Sequence, residues 1–362
     1  MARLRPRPGI LEIEPYVGGK AEVAGIARAI KLSANESPLG PSPKAIDALR
    51  AVAPEAHRYP DGGADGLRQA IGARFDLDPE RIVCGAGSDE LIQLLMRAYA
   101  GPGDEVLYSA HGFLMYKLSA LGVGATPVAA PERALTADVD ALLARLSSRT
   151  RMVFLANPNN PTGSYLDADE LERLHAGLPD DVLLVIDAAY AEYVRRNDYT
   201  AGIDLVERAD NVVMTRTFSK LYGLAALRVG WLYAQSPVVD VLHRIRGPFN
   251  VSTPAQVAAI AALEDLDHQE RARAHNDRWL PWLGRELSRL GLEVHPSVAN
   301  FVLVAFEAAG AHTAAAASAW LEQRGIIARP MAAYGLPDCL RLSVGLEDEN
   351  RAAVAALREF MA

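Results

Sequence analysis

Cysteine is nearly absent from this chain of 362 residues: Cys84 and Cys339 are the only two. Two thiols make no disulfide framework, and each reads as a small buried hydrophobe rather than a nucleophile or ligand. Long apolar runs are missing too. None approaches the ~20 residues needed to cross a bilayer, and the Ala-rich stretch Ala314–Ala319 reads as helix. The opening Met-Ala-Arg-Leu-Arg-Pro-Arg-Pro is basic but lacks the apolar core of a signal peptide. A soluble, cytoplasmic protein without membrane partners is expected. Positive charge is in deficit, with 37 Lys and Arg against 45 Asp and Glu and a net charge of −8. That excludes a broad basic face for nucleic acid. Lysine is scarcest of all: Lys20, Lys31, Lys44, Lys117 and Lys220 are the full set. Chemistry that needs an amine has few places to occur.

What remains is ordinary globular composition, half hydrophobic, with 28 Gly and 22 Pro spread along the chain. The length suits two or three domains, or one large α/β unit with an appendage. Between residues 80 and 235, short Val/Ile/Leu runs alternate with helical patterns. The runs 81–85, 104–108, 151–156, 182–187, 212–215 and 229–233 read as strands covered on both faces. Between them Ser88–Ala100 reads as an amphipathic helix, and Asp167 with Glu170 as a capping box. The alternation predicts an α/β fold, a mainly parallel sheet with helices on both sides. After residue 235 the texture changes: residues 238–290 are largely helical, then strands at 300–305 and 340–344 mix with helices near 311–324 and 348–361. This predicts a smaller α+β domain joined by the N-terminal segment, with boundaries at 1–40, 41–240 and 241–362. There is no internal repeat.

Four segments carry chemistry. Gly85-Ala-Gly87-Ser88-Asp89-Glu90 follows a strand and opens a helix, where unpaired amides and the dipole favour an anion. Glu90 breaks the G-x-G-x-x-G pattern, so a dinucleotide fingerprint fails. Asn157-Pro-Asn-Asn160-Pro-Thr-Gly163 is a rigid loop at the carboxyl edge of the sheet, suited to holding a ligand. Val182–Asp187 is an apolar strand ending in a carboxylate, with Tyr190 three residues on. Such a carboxylate needs a partner; a ring-nitrogen cation would serve, and so would a role bracing the loop. In Thr215–Gly230, Lys220 sits in a turn after a strand, flanked by Thr217, Ser219 and Arg228. An amine there forms a Schiff base if its pKa is lowered. Together these residues supply what pyridoxal phosphate requires: a lysine for its aldehyde, a carboxylate for its pyridinium and donors for its phosphate.

The segments Asn157–Gly163, Asp187–Tyr190 and Thr215–Gly230 resemble the signature stretches of fold-type I pyridoxal phosphate aminotransferases. The segments 31–43, 58–61, 325–330 and 341–345 are similar to the histidinol-phosphate aminotransferase subfamily, and the similarity runs from Tyr16 to the last helix. The resemblance implies an aspartate-aminotransferase-like fold, with a seven-stranded sheet in the large domain. It assigns Lys220 the covalent cofactor link and the proton shuttle, and gives Asp187 the pyridinium nitrogen. Asn160 and Tyr190 fall on the phenolic oxygen. Gly87, Ser88, Asp89, Thr217, Ser219 and Arg228 surround the phosphate, and Phe113 stacks on the ring. Tyr59 reaches the cofactor of a neighbouring subunit, which makes a homodimer part of the site. Tyr16, Arg329 and Arg341 grip a substrate phosphate, with Asn35 and Asn160 also at the substrate. The implied reaction exchanges an amino group between L-histidinol phosphate and 2-oxoglutarate, giving imidazole-acetol phosphate and L-glutamate.

Two departures stand out. Ala188 replaces the usual acidic residue after Asp187, and Ala110-His111-Gly112-Phe113 replaces a Pro-Thr-aromatic sequence, which bears on the ring-facing wall. Aromatic amino-acid transamination and threonine-phosphate decarboxylation remain as alternative activities. A nicotinamide oxidoreductase lacks its glycine fingerprint, a serine hydrolase lacks G-x-S-x-G, and the eight histidines show no metal spacing. A transcription-factor effector role would need a DNA-binding region that the chain does not show.

Overall fold

The computed structural model describes residues 6–7, 9–15, 18, 20, 22–23, 25–26 and 28–362; Tyr16 lies outside the described residues. Seven strands form the main sheet: β1 (Ile82–Gly85), β2 (Glu105–Ser109), β3 (Thr126–Ala130), β4 (Thr150–Ala156), β5 (Leu183–Asp187), β6 (Val212–Thr217) and β7 (Gly230–Tyr233). Their order is β1-β7-β6-β5-β4-β2-β3. Every neighbouring pair is parallel except those of β7, which runs antiparallel to both β1 and β6.

Burial explains the continuous apolar runs. β1, β5, β6 and β7 are buried along their whole length, so neither face alternates with solvent. Successive side chains still go to opposite faces. Leu184 and Ile186 join one core cluster, while Leu183 and Val185 join the other. The strand that the sequence does not announce is β3, Thr126-Pro-Val-Ala-Ala, at the sheet edge with Thr126 and Ala129 exposed. An edge tolerates Pro127, which cannot donate to a ladder.

The second sheet holds β8 (Glu293–His295), β9 (Phe301–Ala305), β10 (Arg329–Met331) and β11 (Leu336–Ser343), antiparallel in the order β8-β9-β11-β10. Helices Leu266–Ser288, Ala314–Gln323 and Glu347–Met361 contribute to its core, and Leu32 is part of it. Ile30–Lys31 also pairs in parallel with Ile326–Ile327, which fastens the N-terminal segment to this unit. The fold is α/β with a smaller α+β part. Helix Thr253–Glu264 goes the other way: Ala255, Ala258, Ala259 and Ala262 belong to the core of the main sheet.

Candidate active site

Parallel register brings the carboxyl ends of three strands level: Ala156 is opposite Asp187, and Asp187 is opposite Thr215. A cavity of about 230 Å³ opens there, lined by Ser88, Asp89, Phe113, Asn160, Asp187, Tyr190, Thr217, Ser219, Lys220 and Arg228. These come from five separate segments that follow strands of the sheet, as expected where ligands bind a parallel sheet.

One end of the cavity is a backbone cradle. The antiparallel direction of β7 puts its first residue, Gly230, level with Gly85 of β1 and Thr217 of β6. A Cβ on Gly230 would lie 2.6 Å from the Ser88 amide nitrogen and 2.9 Å from the Arg216 carbonyl. Gly87 has φ +83°, and a Cβ there would lie 2.5 Å from Arg228 Nη2. Both positions therefore need glycine. Gly87 also begins helix Ser88–Tyr99 without a capping side chain, which leaves its opening amides available to an anion. Arg228 donates to Asp89 Oδ2 at 3.1 Å and to Ser219 Oγ at 3.4 Å, and Thr217 Oγ1 accepts from the Ser219 amide at 3.1 Å. Glu90 stays behind the turn, accepting from the Ala86 amide at 2.6 Å and from Asn250 at 2.7 Å.

At the other end lies Asp187, only 4% exposed. Burial pushes its carboxyl up to about 6, against the hydrogen bonds that favour its charged form. Two hydroxyls supply those bonds: Tyr116 donates to Oδ2 at 2.7 Å and Thr215 to Oδ1 at 3.2 Å. Lys220 stands between the two ends. Its Nζ donates to the Ala34 carbonyl at 3.2 Å and lies 5.7 Å from the Tyr190 ring centroid. Burial first, and then the charge of Arg341, lower its amine to about 8. The amine is thus more readily unprotonated than an ordinary lysine. Tyr190 accepts from Asn35 Nδ2 at 2.8 Å, and burial raises its hydroxyl.

The remaining expected residues divide. Arg341 is buried beside the cavity and donates to Asn160 Oδ1 and, at 2.9 Å, to the Ser33 carbonyl. Arg329 is its direct partner in the β10–β11 register. Asn35 reaches the site only through Tyr190. Tyr59, expected at the cavity of a neighbouring subunit, does not line this chain's own: it is 83% exposed, stacked on Phe249 at 4.7 Å. Tyr16 lies outside the described residues. Of the two departures, Ala188 is wholly buried in the main core, and His111 turns away from the cavity toward Glu132. Tyr116 was not expected. It sits one turn beyond Phe113 in helix Leu114–Val123, and that i, i+3 spacing is the signal that could have found it.

A larger surface groove, about 680 Å³, lies between residues 193–196 and helix Leu266–Ser288. It gathers arginines, but Arg195 is already paired with Glu270 and Asp277 and Arg289 with Glu286.

The family model for aminotransferase class I and II matches residues 27–357. The chain belongs to that family. It is 61% identical over 356 residues to the histidinol-phosphate aminotransferase of Paramagnetospirillum magneticum, covering 98% of each chain. The histidinol-phosphate aminotransferase of Rhodospirillum rubrum is 58% identical over 358 residues, covering 99% of this chain and 97% of that one. Among solved structures, the Sinorhizobium meliloti histidinol-phosphate aminotransferase in complex with pyridoxal-5'-phosphate superposes with a TM-score of 0.87 at 29% identity, over 99% of this chain and 98% of that one. Thermus thermophilus aspartate aminotransferase with maleate has a TM-score of 0.81 at 21% identity, over 92% and 91% of the two chains, and shares the fold.

Proposed function

We propose that this aminotransferase uses pyridoxal phosphate to exchange an amino group between L-histidinol phosphate and 2-oxoglutarate, a step of histidine biosynthesis. One observation carries the reading: Lys220 and Asp187 face the same cavity as a glycine cradle backed by Arg228. The donor set fits the cofactor from end to end, and the relatives at 61% identity narrow the substrate.

Bound pyridoxal phosphate supplies an electron-accepting ring and an aldehyde that takes up the amino group. The amides at Ser88 and Asp89, the hydroxyls of Thr217 and Ser219, and the Arg228 guanidinium hold its phosphate. Asp187 holds a proton on the ring nitrogen, with Tyr116 and Thr215 fixing the carboxylate. Asn160 and Tyr190 donate to the phenolic oxygen, and Phe113 covers one ring face. Lys220 would anchor the cofactor through its aldehyde and, once displaced by the substrate amine, its Nζ would be the base that moves the α-carbon proton. Arg329 and Arg341, with Tyr16, bind the substrate phosphate, while Asn35 and Asn160 orient the amino end.

The working unit is a homodimer in this reading. The exposed Tyr59–Phe249 stack supports it, since one chain alone leaves two aromatic rings in water. Free, buried Cys84 and Cys339 agree with a cytoplasmic setting. Among the described residues no helix is long and apolar enough to cross a membrane.

The test is a half-reaction panel that follows cofactor absorbance with histidinol phosphate, phenylalanine, tyrosine and threonine phosphate. Histidinol phosphate is expected to react fastest. A faster aromatic amino acid would overturn the substrate assignment, and no absorbance change with any amine would overturn the cofactor chemistry.

A further inference from the structure

Glu132 is a carboxylate shut away from water, its side chain 2% exposed. Among the described residues, its side-chain partner is His111. The two are joined twice: His111 Nδ1 lies 2.9 Å from Oε2, and the His111 backbone N–H donates to Oε1 at 3.0 Å. A carboxylate only accepts, so the imidazole carries its proton on Nδ1 here. The His111 carbonyl is held as well, by Asn159 Nδ2 at 3.2 Å, from the loop that also carries Asn160. A Cβ built on Gly335 would lie 3.9 Å from His111 Nε2, so the far edge of the ring faces the turn between β10 and β11 across room for a methyl.

What these bonds fasten is the approach to Phe113. Gly112 packs so closely that a Cβ would meet the Ser109 carbonyl at 3.0 Å. On the other side of Phe113, Leu114 packs against the cluster of Met331 and Tyr334 on the small sheet. Phe113 itself is half-buried, lines the cavity, and begins its helix without a side-chain cap. A buried hydrogen bond to a carboxylate is a poor source of net stability, because desolvation offsets most of the attraction. Its use here is geometric.

We propose that His111 and Glu132 form a positioning clamp, which fixes Phe113 against the cofactor ring and ties that wall to the turn following Arg329–Met331. The inference rests on the reading of the cavity as the pyridoxal phosphate site. Neither residue touches the reacting atoms; both act through Phe113.

The test uses wild type, Glu132→Ala and Glu132→Gln, purified and reconstituted with pyridoxal phosphate. Two quantities are read: the dissociation constant for the cofactor, and the visible circular dichroism of the bound cofactor, which reports how the ring is held. Glu132→Ala is expected to weaken cofactor binding about tenfold and to cut the visible dichroism by about half, as misplacement of a supporting wall does. Glu132→Gln keeps an acceptor for the backbone N–H and is expected to restore both. A folded Glu132→Ala with wild-type affinity and dichroism would overturn the clamp. If Glu132→Ala fails to fold, His111→Asn reads the same two quantities, and an unchanged dichroism band in that variant overturns the clamp equally. A wild type that retains no pyridoxal phosphate would instead overturn the cavity reading, and the clamp with it.

Discussion

Arg329 and Arg341 stand directly opposite one another across the antiparallel β10–β11 register. Like charges so placed repel, and an anion shared between them would relieve that repulsion. They are not equivalent. Arg341 is 5% exposed and bonded to Asn160 and to the Ser33 carbonyl, whereas Arg329 is half-buried. Arg329→Ala should therefore raise the KM for histidinol phosphate roughly 10- to 100-fold, the ~1.5–3 kcal/mol of a charged hydrogen bond, with a smaller effect on stability than Arg341→Ala because its side chain is the less buried of the two. Arg341→Ala should raise the KM and also lower stability by about 1–3 kcal/mol, because it leaves buried acceptors unpaired. Steady-state kinetics and denaturant titration separate the two effects. Equal behaviour of both variants would contradict the geometry.

Lys220 has a folded pKa of about 8 in place of the usual 10.5. The rate at which cofactor-free protein takes up pyridoxal phosphate should thus rise through about pH 8, once the amine is unprotonated. In Lys220→Ala, borohydride treatment should leave no cofactor covalently attached, as mass spectrometry would show. An adduct that survives in this variant assigns the link to another amine.

Asp187 shifts the other way, to about 6 from 3.8. In the cofactor-free protein the native state then binds the extra proton between those values. The contribution is fully present below pH 4 and is lost as pH rises through 6, by roughly 3 kcal/mol at about 1.4 kcal/mol per unit. Denaturant titrations at pH 4 and pH 7 should show this slope in wild type and not in Asp187→Asn. The same variant should keep the cofactor but lose most of its turnover. Unchanged turnover would remove Asp187 from the ring nitrogen.

Tyr116→Phe deletes the 2.7 Å donor to Asp187 while preserving the ring packed against Phe154. That donor lowers the Asp187 pKa. Its loss should push the carboxyl higher still, move the acid limb of the rate profile to higher pH, and reduce turnover about tenfold for a bond of ~1.5 kcal/mol. A superimposable pH profile would leave Tyr116 a packing residue only.

Gly87→Ala tests the cradle from the opposite end. The new methyl would need φ +83° and would press on Arg228. Cofactor affinity should fall at least tenfold, on the order of 1–3 kcal/mol of strain and displacement, with Lys220 chemistry otherwise intact. Equilibrium dialysis gives the number directly.

Much of this was legible in the residues because strands buried on both faces write themselves as apolar runs. All six such strands appear where the runs stand, and Asp167 caps its helix through the Glu170 amide at 2.9 Å. β3 was not legible: an edge strand with a proline and two exposed residues carries no run. Nor does the change of texture near residue 240 say where helix Thr253–Glu264 packs: it is apolar nearly all round, and the fold puts its Ala255, Ala258, Ala259 and Ala262 in the main core. In the site, the charged and signature residues could be named, but not the hydroxyl that steadies Asp187. A tyrosine reads the same in sequence whether it packs or donates. Likewise His111 looked like part of the ring-facing wall, and only the fold shows that the carboxylate it pairs with is Glu132.

The direction of β7 reaches beyond the site into the life of the chain. β1 has no neighbour in the sheet except β7, so the strand at 82–85 waits for residues 230–233 before it is paired. The cradle at Gly87 and Ser88 is closed by Gly230 and therefore waits too. Pairings so distant along the chain form late. A nascent polypeptide emerging from the ribosome presents Gly87 early yet has nowhere to lodge a phosphate. If the cradle holds the cofactor phosphate, its capture must follow the pairing of β1 with β7.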